Sequence, residues 1–290
     1  MPGIHPVGSG DWVRWMMHSF PGWGKTSLLA TAAEMGKVLI VRSSLDLMPA
    51  RATKTPGLDE VVCDTWEQML EVQDFARMSD HDYLFMAWDS VSLAQDALLD
   101  DIWAGTVAEK PGRAFKPDGK PLLTPASGLD RGEYGRNMER IQQWVRHMTR
   151  CNRFHFIIVG HSYEAPNQID DEGGVFLQPW IQGKNMISKI CGYTNLISFL
   201  EVKQNEEHGT WRRLHFSADT RWYAKDQFDA FPKGYMDQPT VPKIMAAIEK
   251  ARGRPLGTAG GNVVPISSSR GRGRVQSETK TSRRGVRREQ

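Results

Sequence analysis

Residues 19–27 read Ser-Phe-Pro-Gly-Trp-Gly-Lys-Thr-Ser, a glycine-rich segment that ends in a lysine and two hydroxyl residues. The apolar run 12–18 before it predicts a β-strand, whereas the pattern over 25–35 predicts a helix. A glycine-rich turn between a strand and a helix is a place where backbone N–H groups converge on a phosphate group. The stretch therefore predicts a phosphate-binding loop in a parallel α/β fold.

Each residue type in this loop has a chemical task. Gly22 and Gly24 allow positive φ angles and a close approach of the backbone to a ligand. We expect Lys25 to reach the β- and γ-phosphates of a nucleotide and the Thr26 hydroxyl to bind Mg²⁺. The usual pattern has glycine at the first position, where this chain has Ser19. The candidate nucleotide-binding residues are Ser19, Pro21, Gly22, Trp23, Gly24, Lys25, Thr26 and Ser27.

Two later apolar runs end in polar residues that suit the same chemistry. Residues 83–88 predict a strand, and Asp89 follows it, where a carboxylate of a neighbouring parallel strand can hold Mg²⁺. The run 154–159 predicts another strand, and His161 lies just beyond its end. His161 is a candidate sensor of the γ-phosphate, and the alternative is an ordinary turn residue.

The other patterns alternate between apolar strands and amphipathic helices. Such an order indicates a mostly parallel sheet with helices on both faces, here with an antiparallel edge toward the C-terminus. The predicted strands are 12–18, 37–41, 83–88, 154–159, 195–202 and 211–217, and the predicted helices are 25–35, 65–78, 91–103, 134–150 and 241–252.

Taken together, these motifs resemble the RecA-type P-loop ATPase core. The chain is most similar to the phage-encoded, AAA-type RecA-like nucleotide-binding proteins of single-strand annealing and recombination, over about residues 10–235. The segments that carry the resemblance are SFPGWGKTS (19–27), GKVLIVRSSLD (36–46), YLFMAWDSVS (83–92), FIIVGHS (156–162), PWIQGK (179–184) and YAKDQF (223–228).

The resemblance implies ATP with Mg²⁺ as cofactors, a homo-oligomeric ring or filament that places the nucleotide between subunits, and single-stranded DNA as a partner. It matches Lys25 and Thr26 to the phosphate loop and Asp89 to the magnesium-side carboxylate. Lys225 resembles a cation that related ATPases present to a neighbour's nucleotide, and Arg212 and Arg213 are its rivals for that role.

The resemblance also places two DNA-contacting loops at 105–131 and 162–183. Both segments are long and rich in Gly and Pro, which is typical of functional or disordered loops. The first one combines basic side chains with an aromatic ring that can stack on a base, although a solvated surface loop is an equal alternative. Its candidate nucleic-acid-binding residues are Lys110, Arg113, Phe115, Lys116 and Lys120.

One position departs from the family pattern. RecA-type enzymes usually have a glutamate at the end of the strand after the first helix, where it activates the attacking water, and this chain has Ser44 there. A hydroxyl without a neighbouring base is a poor general base near neutral pH. We therefore expect slow hydrolysis, or recruitment of Asp46 or Asp64 instead.

The C-terminal segment is strongly basic. Residues 267–290 contain eight Lys or Arg and two Glu, although the whole chain has a net charge of only +3. Few apolar residues occur there, which predicts a disordered tail over about 255–290 after a domain that spans 1–252, with a linker starting at 253. Such a tail suits contact with nucleic-acid phosphates, and a solubilising role is the alternative. Its candidate contacts are Arg270, Arg272, Arg274, Arg283 and Arg284.

Composition narrows the class of protein. With 290 residues, 40% apolar side chains and 3 widely spaced cysteines, the chain predicts a soluble globular protein of a reducing, cytoplasmic compartment, namely that of a bacterial host if it is phage-encoded. The primary hypothesis is an ATP-dependent protein that acts on single-stranded DNA. The alternative is a nucleotide-gated module with little ATPase activity, whose tail docks a replication or single-strand-binding protein or RNA. A small-molecule kinase is a third option.

Overall fold

The phosphate-loop strand lies in the middle of a large sheet. The computed structural model describes residues 12–50, 52–115, 129–166, 175–183, 185–207 and 209–257. The strands of these ranges are β1 (Arg14–Ser19), β2 (Lys37–Arg42), β3 (Leu58–Val62), β4 (Tyr83–Asp89), β5 (His155–Pro166), β6 (Val175–Pro179), β7 (Leu196–Asn205), β8 (Gly209–His215), β9 (Lys225–Asp226) and β10 (Tyr235–Asp237). The α-helices are α1 (Lys25–Ala30), α2 (Trp66–Met78), α3 (Val91–Glu109), α4 (Arg131–Arg150), α5 (Met186–Gly192) and α6 (Val241–Arg252).

The sheet is mostly parallel. Its main path is β10-β8-β7-β1-β5-β4-β2-β3, and all pairings from β7 to β3 are parallel. Strands β8 and β10 continue the sheet in antiparallel fashion, while β6 and β9 pair antiparallel with β5 and β7. The predicted fold class, a parallel sheet with an antiparallel C-terminal edge, is confirmed.

Each face of the sheet has its own hydrophobic core. Successive side chains of a strand point to opposite faces, so β4 sends Phe85 to one core and Met86 and Trp88 to the other. The Trp88 core also contains Trp144 of α4, and the Phe85 core contains Ile244 of α6. Helices therefore cover both faces, and functional side chains gather at the strand ends.

The two predicted loops are shorter than expected. Helix α3 continues through Gly105 to Glu109, a 3₁₀ turn spans Pro111–Ala114, and α4 already begins at Arg131. The predicted loop began too early, because an isolated glycine is tolerated inside a helix that is packed on one side, whereas its end at Arg131 agrees with the start of α4 to one residue. Residues 116–128 lie outside the described residues.

The second predicted loop, 162–183, contains two strand arms. Strand β5 runs on to Pro166 and pairs antiparallel with β6, with Ser162 opposite Pro179. No strand was predicted for these arms, whose backbone groups find partners in each other, and contact of this segment with DNA stays a prediction. Residues 167–174 and Lys184 are outside the described ranges.

Helix α6 ends at Arg252 and is capped by Gly253, whose φ of 65° lies in the left-handed region. The described residues stop at 257, so the predicted tail lies almost entirely beyond them, and the domain limits stay a prediction. In the part of the chain that is described, no helix is long and apolar enough to cross a membrane.

Candidate nucleotide-binding site

The phosphate loop connects the end of β1 to α1. Ser19 is the last residue of β1, and Lys25 is the first residue of the helix. Between them, Gly22 has a φ of 78° and Gly24 a φ of 93°, in the left-handed region that favours glycine. The strand–loop–helix context that the motif requires is therefore present.

Lys25 lies buried beneath this loop. Its Nζ atom donates hydrogen bonds to the carbonyl oxygens of Ser19 and Phe20, both at 3.1 Å. Burial lowers the pKa of Lys25 to about 8, although the nearby carboxylates Asp89 and Asp46 favour the charged form. The ammonium is thus held at the floor of the loop, close to where phosphate groups would be bound.

Thr26 and Asp89 meet directly. The Thr26 hydroxyl donates a hydrogen bond of 2.6 Å to Oδ2 of Asp89, which ends β4. Burial raises the pKa of Asp89 to about 6, and the Thr26 hydrogen bond and Lys25 act in the opposite direction. A carboxylate and a hydroxyl are hard oxygen ligands of the kind that Mg²⁺ prefers, so this pair fits the ion.

His161 lies on β5, the strand between β1 and β4. It stands opposite Ser19 in the parallel register, and its backbone N–H donates to the Ser92 hydroxyl at 3.0 Å. Burial lowers the pKa of His161, and the positive charge of Lys25 adds to this effect. The imidazole is therefore neutral near pH 7 and lines the same cleft as Lys25 and Asp89.

The phosphate loop, Asp89 and His161 line a cavity of about 370 Å³. Asp46, Leu47 and Pro49 also line it; the sequence suggested Asp46 only as a substitute base, and no motif marks Leu47 or Pro49. Leu47 is 91% exposed, an unusual degree for a leucine. The cavity is lined by Pro21, Gly22, Gly24, Lys25, Thr26, Ser27, Asp46, Leu47, Pro49, Asp89, His161 and Arg212.

The structure separates the three candidates for water activation. Ser44 is exposed, and its backbone N–H donates to Oδ1 of Asp64 at 2.8 Å. Asp46 instead lines the cavity and accepts a hydrogen bond of 2.9 Å from the backbone N–H of Ser90. Of these side chains, only Asp46 borders the cleft.

Three side chains, Lys225, Arg212 and Arg213, are candidates for the cation that contacts a neighbouring subunit's nucleotide, and their surroundings differ. Lys225 Nζ donates to the carbonyl oxygens of Cys191 and Thr194 within its own chain. Arg213 forms a two-pronged ion pair with Asp237, at 2.7 and 2.8 Å. Arg212, the remaining rival, borders the phosphate-loop cavity of its own chain.

Aromatic side chains within and just before the phosphate loop pack against the neighbouring strands. The Trp23 ring lies 5.0 Å from the Phe20 ring and 6.1 Å from the Phe199 ring, measured between centroids. His18, next to Ser19, is fully buried, and its Nδ1 lies 2.9 Å from the Ser162 hydroxyl. These contacts tie the loop to β7 and to the β5–β6 hairpin.

The candidate nucleic-acid residues are dispersed. Phe115 is 53% exposed and Lys110 is exposed, whereas the Arg113 guanidinium binds both carboxylate oxygens of Glu133, at 2.7 and 3.0 Å. Arg113 thus has a structural partner, and its role toward nucleic acid stays a prediction. The remaining candidates lie outside the described residues, namely Lys116, Lys120, Arg270, Arg272, Arg274, Arg283 and Arg284.

Within the described ranges, no group of three or more His, Cys, Asp or Glu side chains is arranged to hold a metal ion. A second cavity, of about 390 Å³, lies between α3 and α4 and does not include the phosphate loop. The nucleotide site is therefore assigned from the loop geometry and not from cavity size.

Comparison with known proteins agrees with this geometry. A family model described as an AAA domain matches residues 13–228, and the chain belongs to that family. Together with the phosphate loop, this membership makes the chain a P-loop nucleotide-binding protein of the ATPase class. The crystal structure of the RadB recombinase covers 71% of this chain and 80% of its own, with 11% identity and a TM-score of 0.42. No curated protein matches.

Proposed function

We propose that this protein is a RecA-like ATPase that binds ATP with Mg²⁺, hydrolyses it slowly and acts on single-stranded DNA in phage recombination, annealing or replication. The observation that carries the nucleotide part is the 2.6 Å hydrogen bond between Thr26 and Asp89, beside the buried Lys25. The phosphate loop, the Lys25 ammonium and two oxygen ligands suited to Mg²⁺ therefore lie in one cleft.

The roles of the side chains follow from their chemistry. Lys25 would neutralise charge on the β- and γ-phosphates, and Thr26 and Asp89 would hold Mg²⁺. When bound, the ion would offset the negative charge of the phosphate chain. His161 would contact the γ-phosphate end from the strand between β1 and β4.

Asp46 is our candidate for activating the attacking water. It borders the cleft, and hydrogen bonds from Ser90 N–H at 2.9 Å and from the Ser90 hydroxyl at 3.3 Å hold its carboxylate in place. A carboxylate so anchored can orient a water molecule better than Ser44, which is exposed and outside the cleft.

Action on DNA is supported by the β5–β6 hairpin. This hairpin extends the strand that carries His161 and exposes Tyr163 by 48% and Trp180 by 40%. Exposed aromatic rings are suited to stacking on unpaired bases. Ser162, at the base of the hairpin, contacts His18, which precedes the phosphate loop, so one side chain connects the hairpin with the strand that leads into the loop. We further propose assembly into a homo-oligomer and a role for the basic tail in binding DNA or a replication protein.

The second candidate function is a nucleotide-gated binding module with little turnover. The observation that favours it is the position of Ser44, where RecA-type enzymes have the catalytic carboxylate. Such a module would use ATP to order its hairpin without consuming it.

One experiment separates the two candidates. ATP binding and ATP turnover are measured with no DNA, with single-stranded DNA and with duplex DNA, each at two salt concentrations. Lys25→Ala is the loss-of-binding variant, and Lys37→Ala, whose surface ion pair with Asp82 lies outside the cleft, is its control.

We expect turnover that single strands stimulate, and loss of this turnover in Lys25→Ala only. ATP binding with background turnover under all conditions would favour the gated module. An absence of ATP binding by the unaltered protein would reject both.

A further inference from the structure

Arg212 has an unusual position for an arginine on the outer part of the sheet. It belongs to β8, which β7 separates from β1, yet its side chain reaches the phosphate loop of its own chain. Its Nε atom donates a hydrogen bond of 2.9 Å to the Trp23 carbonyl oxygen. The antiparallel pairing of β8 with β7, in which Arg212 stands opposite Val202, fixes the point from which the side chain extends.

The guanidinium packs directly on Gly24. An ideal Cβ atom at Gly24 would lie 2.6 Å from both Nε and Nη2 of Arg212, and 2.8 Å from Cζ. The φ of 93° favours glycine here, and any larger side chain would also have to displace the guanidinium, which is the end of a flexible side chain. Contact this close places the positive charge at the loop residue that precedes Lys25.

The charge of Arg212 is not compensated by a carboxylate among the described residues. Arg213 pairs with Asp237 at 2.7 Å and Arg221 pairs with Asp219 at 3.3 Å, whereas the one described side-chain hydrogen bond of Arg212 is the one to Trp23. Its side chain is exposed and lines the cleft, so its other N–H donors are available to a ligand in the cleft.

We propose that Arg212 contacts the phosphate chain of the nucleotide bound by its own subunit. This inference rests on the proposed function, because it concerns the ligand of the same cleft. A guanidinium offers several donors in a planar fork and binds phosphate oxygens with charge-assisted hydrogen bonds. Arg212 thus acts in cis and differs from a cation that a neighbouring subunit supplies.

The charge of Arg212 is tested by two substitutions. Arg212→Gln keeps a side-chain N–H that can reach the Trp23 carbonyl but removes the charge, and Arg212→Lys keeps the charge. We expect Arg212→Gln to weaken ATP binding by about tenfold or more, and Arg212→Lys, which keeps the charge but not the fork, to weaken it less. Lys203→Gln is the control, because it removes a charge from the adjacent strand, where Lys203 pairs with Glu201.

Equal affinities of Arg212→Gln and the unaltered protein would overturn the proposal. A loss in Arg212→Lys without a loss in Arg212→Gln would also overturn it, since the hydrogen bond to the Trp23 carbonyl, which Gln can keep, would then be the only role of Arg212. If the unaltered protein binds no ATP, the proposed function itself fails, and the two failures are thereby distinguished.

A mixing experiment tests action in cis. ATP binding by Arg212→Gln is titrated with and without an excess of Lys25→Ala, which retains Arg212 but lacks the phosphate-loop lysine. We expect the same weak binding in both titrations. Recovery of affinity in the mixture would show that a neighbouring subunit supplies the arginine, and would overturn the assignment to the same chain.

Discussion

At the scale of single residues, one cleft contains two carboxylates in different surroundings. Asp89 is buried and accepts from the Thr26 hydroxyl, whereas Asp46 is partly exposed and accepts from the backbone N–H of Ser90, the residue after Asp89. Asp89 therefore suits a magnesium ligand, and Asp46 suits a group that contacts water. This difference allows binding and hydrolysis to be separated by substitution.

We expect Asp46→Asn to lower ATP turnover by about 100-fold, because general-base assistance is worth about 10²–10⁴ in rate. ATP affinity should change by less than about threefold, since the amide can still accept from Ser90 N–H. Steady-state turnover and equilibrium ATP binding measure the two effects. Asp64→Asn, which alters the carboxylate next to Ser44, is the control and should leave turnover unchanged.

Thr26→Val tests the magnesium site. The substitution keeps the shape of the side chain but removes the hydroxyl, so ATP binding should lose most of its dependence on Mg²⁺. Affinity is measured with Mg²⁺ and with a chelator in excess. If the ratio of the two affinities matched that of the unaltered protein, Thr26 would not be a magnesium ligand. Thr31→Val is the control, because the Thr31 hydroxyl donates to the Leu28 carbonyl and accepts from the Val241 backbone N–H, outside the cleft.

At the scale of elements, the start of α4 is held by a buried carboxylate. Glu133 accepts hydrogen bonds from the Asp130 backbone N–H, the Thr106 hydroxyl and Arg113, and so joins α4 to α3 and to the 3₁₀ turn. Burial disfavours its charged form, but these bonds outweigh burial and hold the pKa of Glu133 at about 2. The carboxylate is therefore charged at every ordinary pH.

We expect Glu133→Gln to lower the free energy of unfolding at pH 7 by roughly 3 kcal/mol, because it removes the charge of the buried carboxylate that pairs with Arg113 at 2.7 Å. A lowered pKa gives stability that is present above the ordinary value, near 4.5, and is lost as the pH falls toward about 2. The difference between the variant and the unaltered protein should therefore shrink below pH 4.5. Denaturant unfolding across this pH range measures it.

Glu139→Gln, on the exposed side of the same helix, is the matched control. It should change stability by less than about 0.5 kcal/mol at pH 7. A difference for Glu133→Gln that stays constant between pH 7 and pH 3 would contradict a carboxylate stabilised in its charged form.

Elements with strong local signals were predicted well from the sequence. Helix α6 was predicted at 241–252, the bounds that it has, because its Thr240 cap, apolar spacing and terminal Gly253 agree. Strands β3 and β6 were missed, since only pairing with β2 and β5 stabilises such short segments. Likewise, the loop motif identified Lys25 and Thr26, but the position of Arg212 depends on a strand distant in sequence.

At the scale of the whole molecule, Trp144 connects several layers. Its indole is fully buried, lies 4.8 Å from the Trp88 ring of β4, and donates to the Met69 carbonyl of α2 at 2.6 Å. One side chain of α4 thus contacts both the sheet and a second helix. Its packing belongs to the core on the side of the sheet opposite α6.

We expect Trp144→Ala to destabilise the protein by about 3–5 kcal/mol, the usual cost of removing a large aromatic side chain from a core. The unfolding midpoint in denaturant measures this change. Trp211→Ala, on partly exposed β8, should cost clearly less. Similar losses in the two variants would contradict the central role of Trp144.

Deletion of residues 267–290 tests the basic tail. Loss of eight Lys and Arg residues should weaken binding to single-stranded DNA and flatten its dependence on salt, because each phosphate contact releases counterions. ATP affinity should stay the same, since the cleft is formed by residues before 213. DNA titrations at several salt concentrations measure the slope. An unchanged slope would favour a solubilising tail.

The hydrogen bond between His18, beside the phosphate loop, and Ser162 of the β5–β6 hairpin is insensitive to pH. Because the Tyr223 carbonyl can only accept, Nε2 of His18 carries the proton, and Nδ1 must accept from the Ser162 hydroxyl. Burial lowers the pKa of His18 to about 4, so the ring keeps this one tautomer between pH 5 and 8. The Ser162 hydroxyl therefore donates and the His18 ring accepts throughout this pH range, so the hydrogen bond beside the phosphate loop keeps one direction.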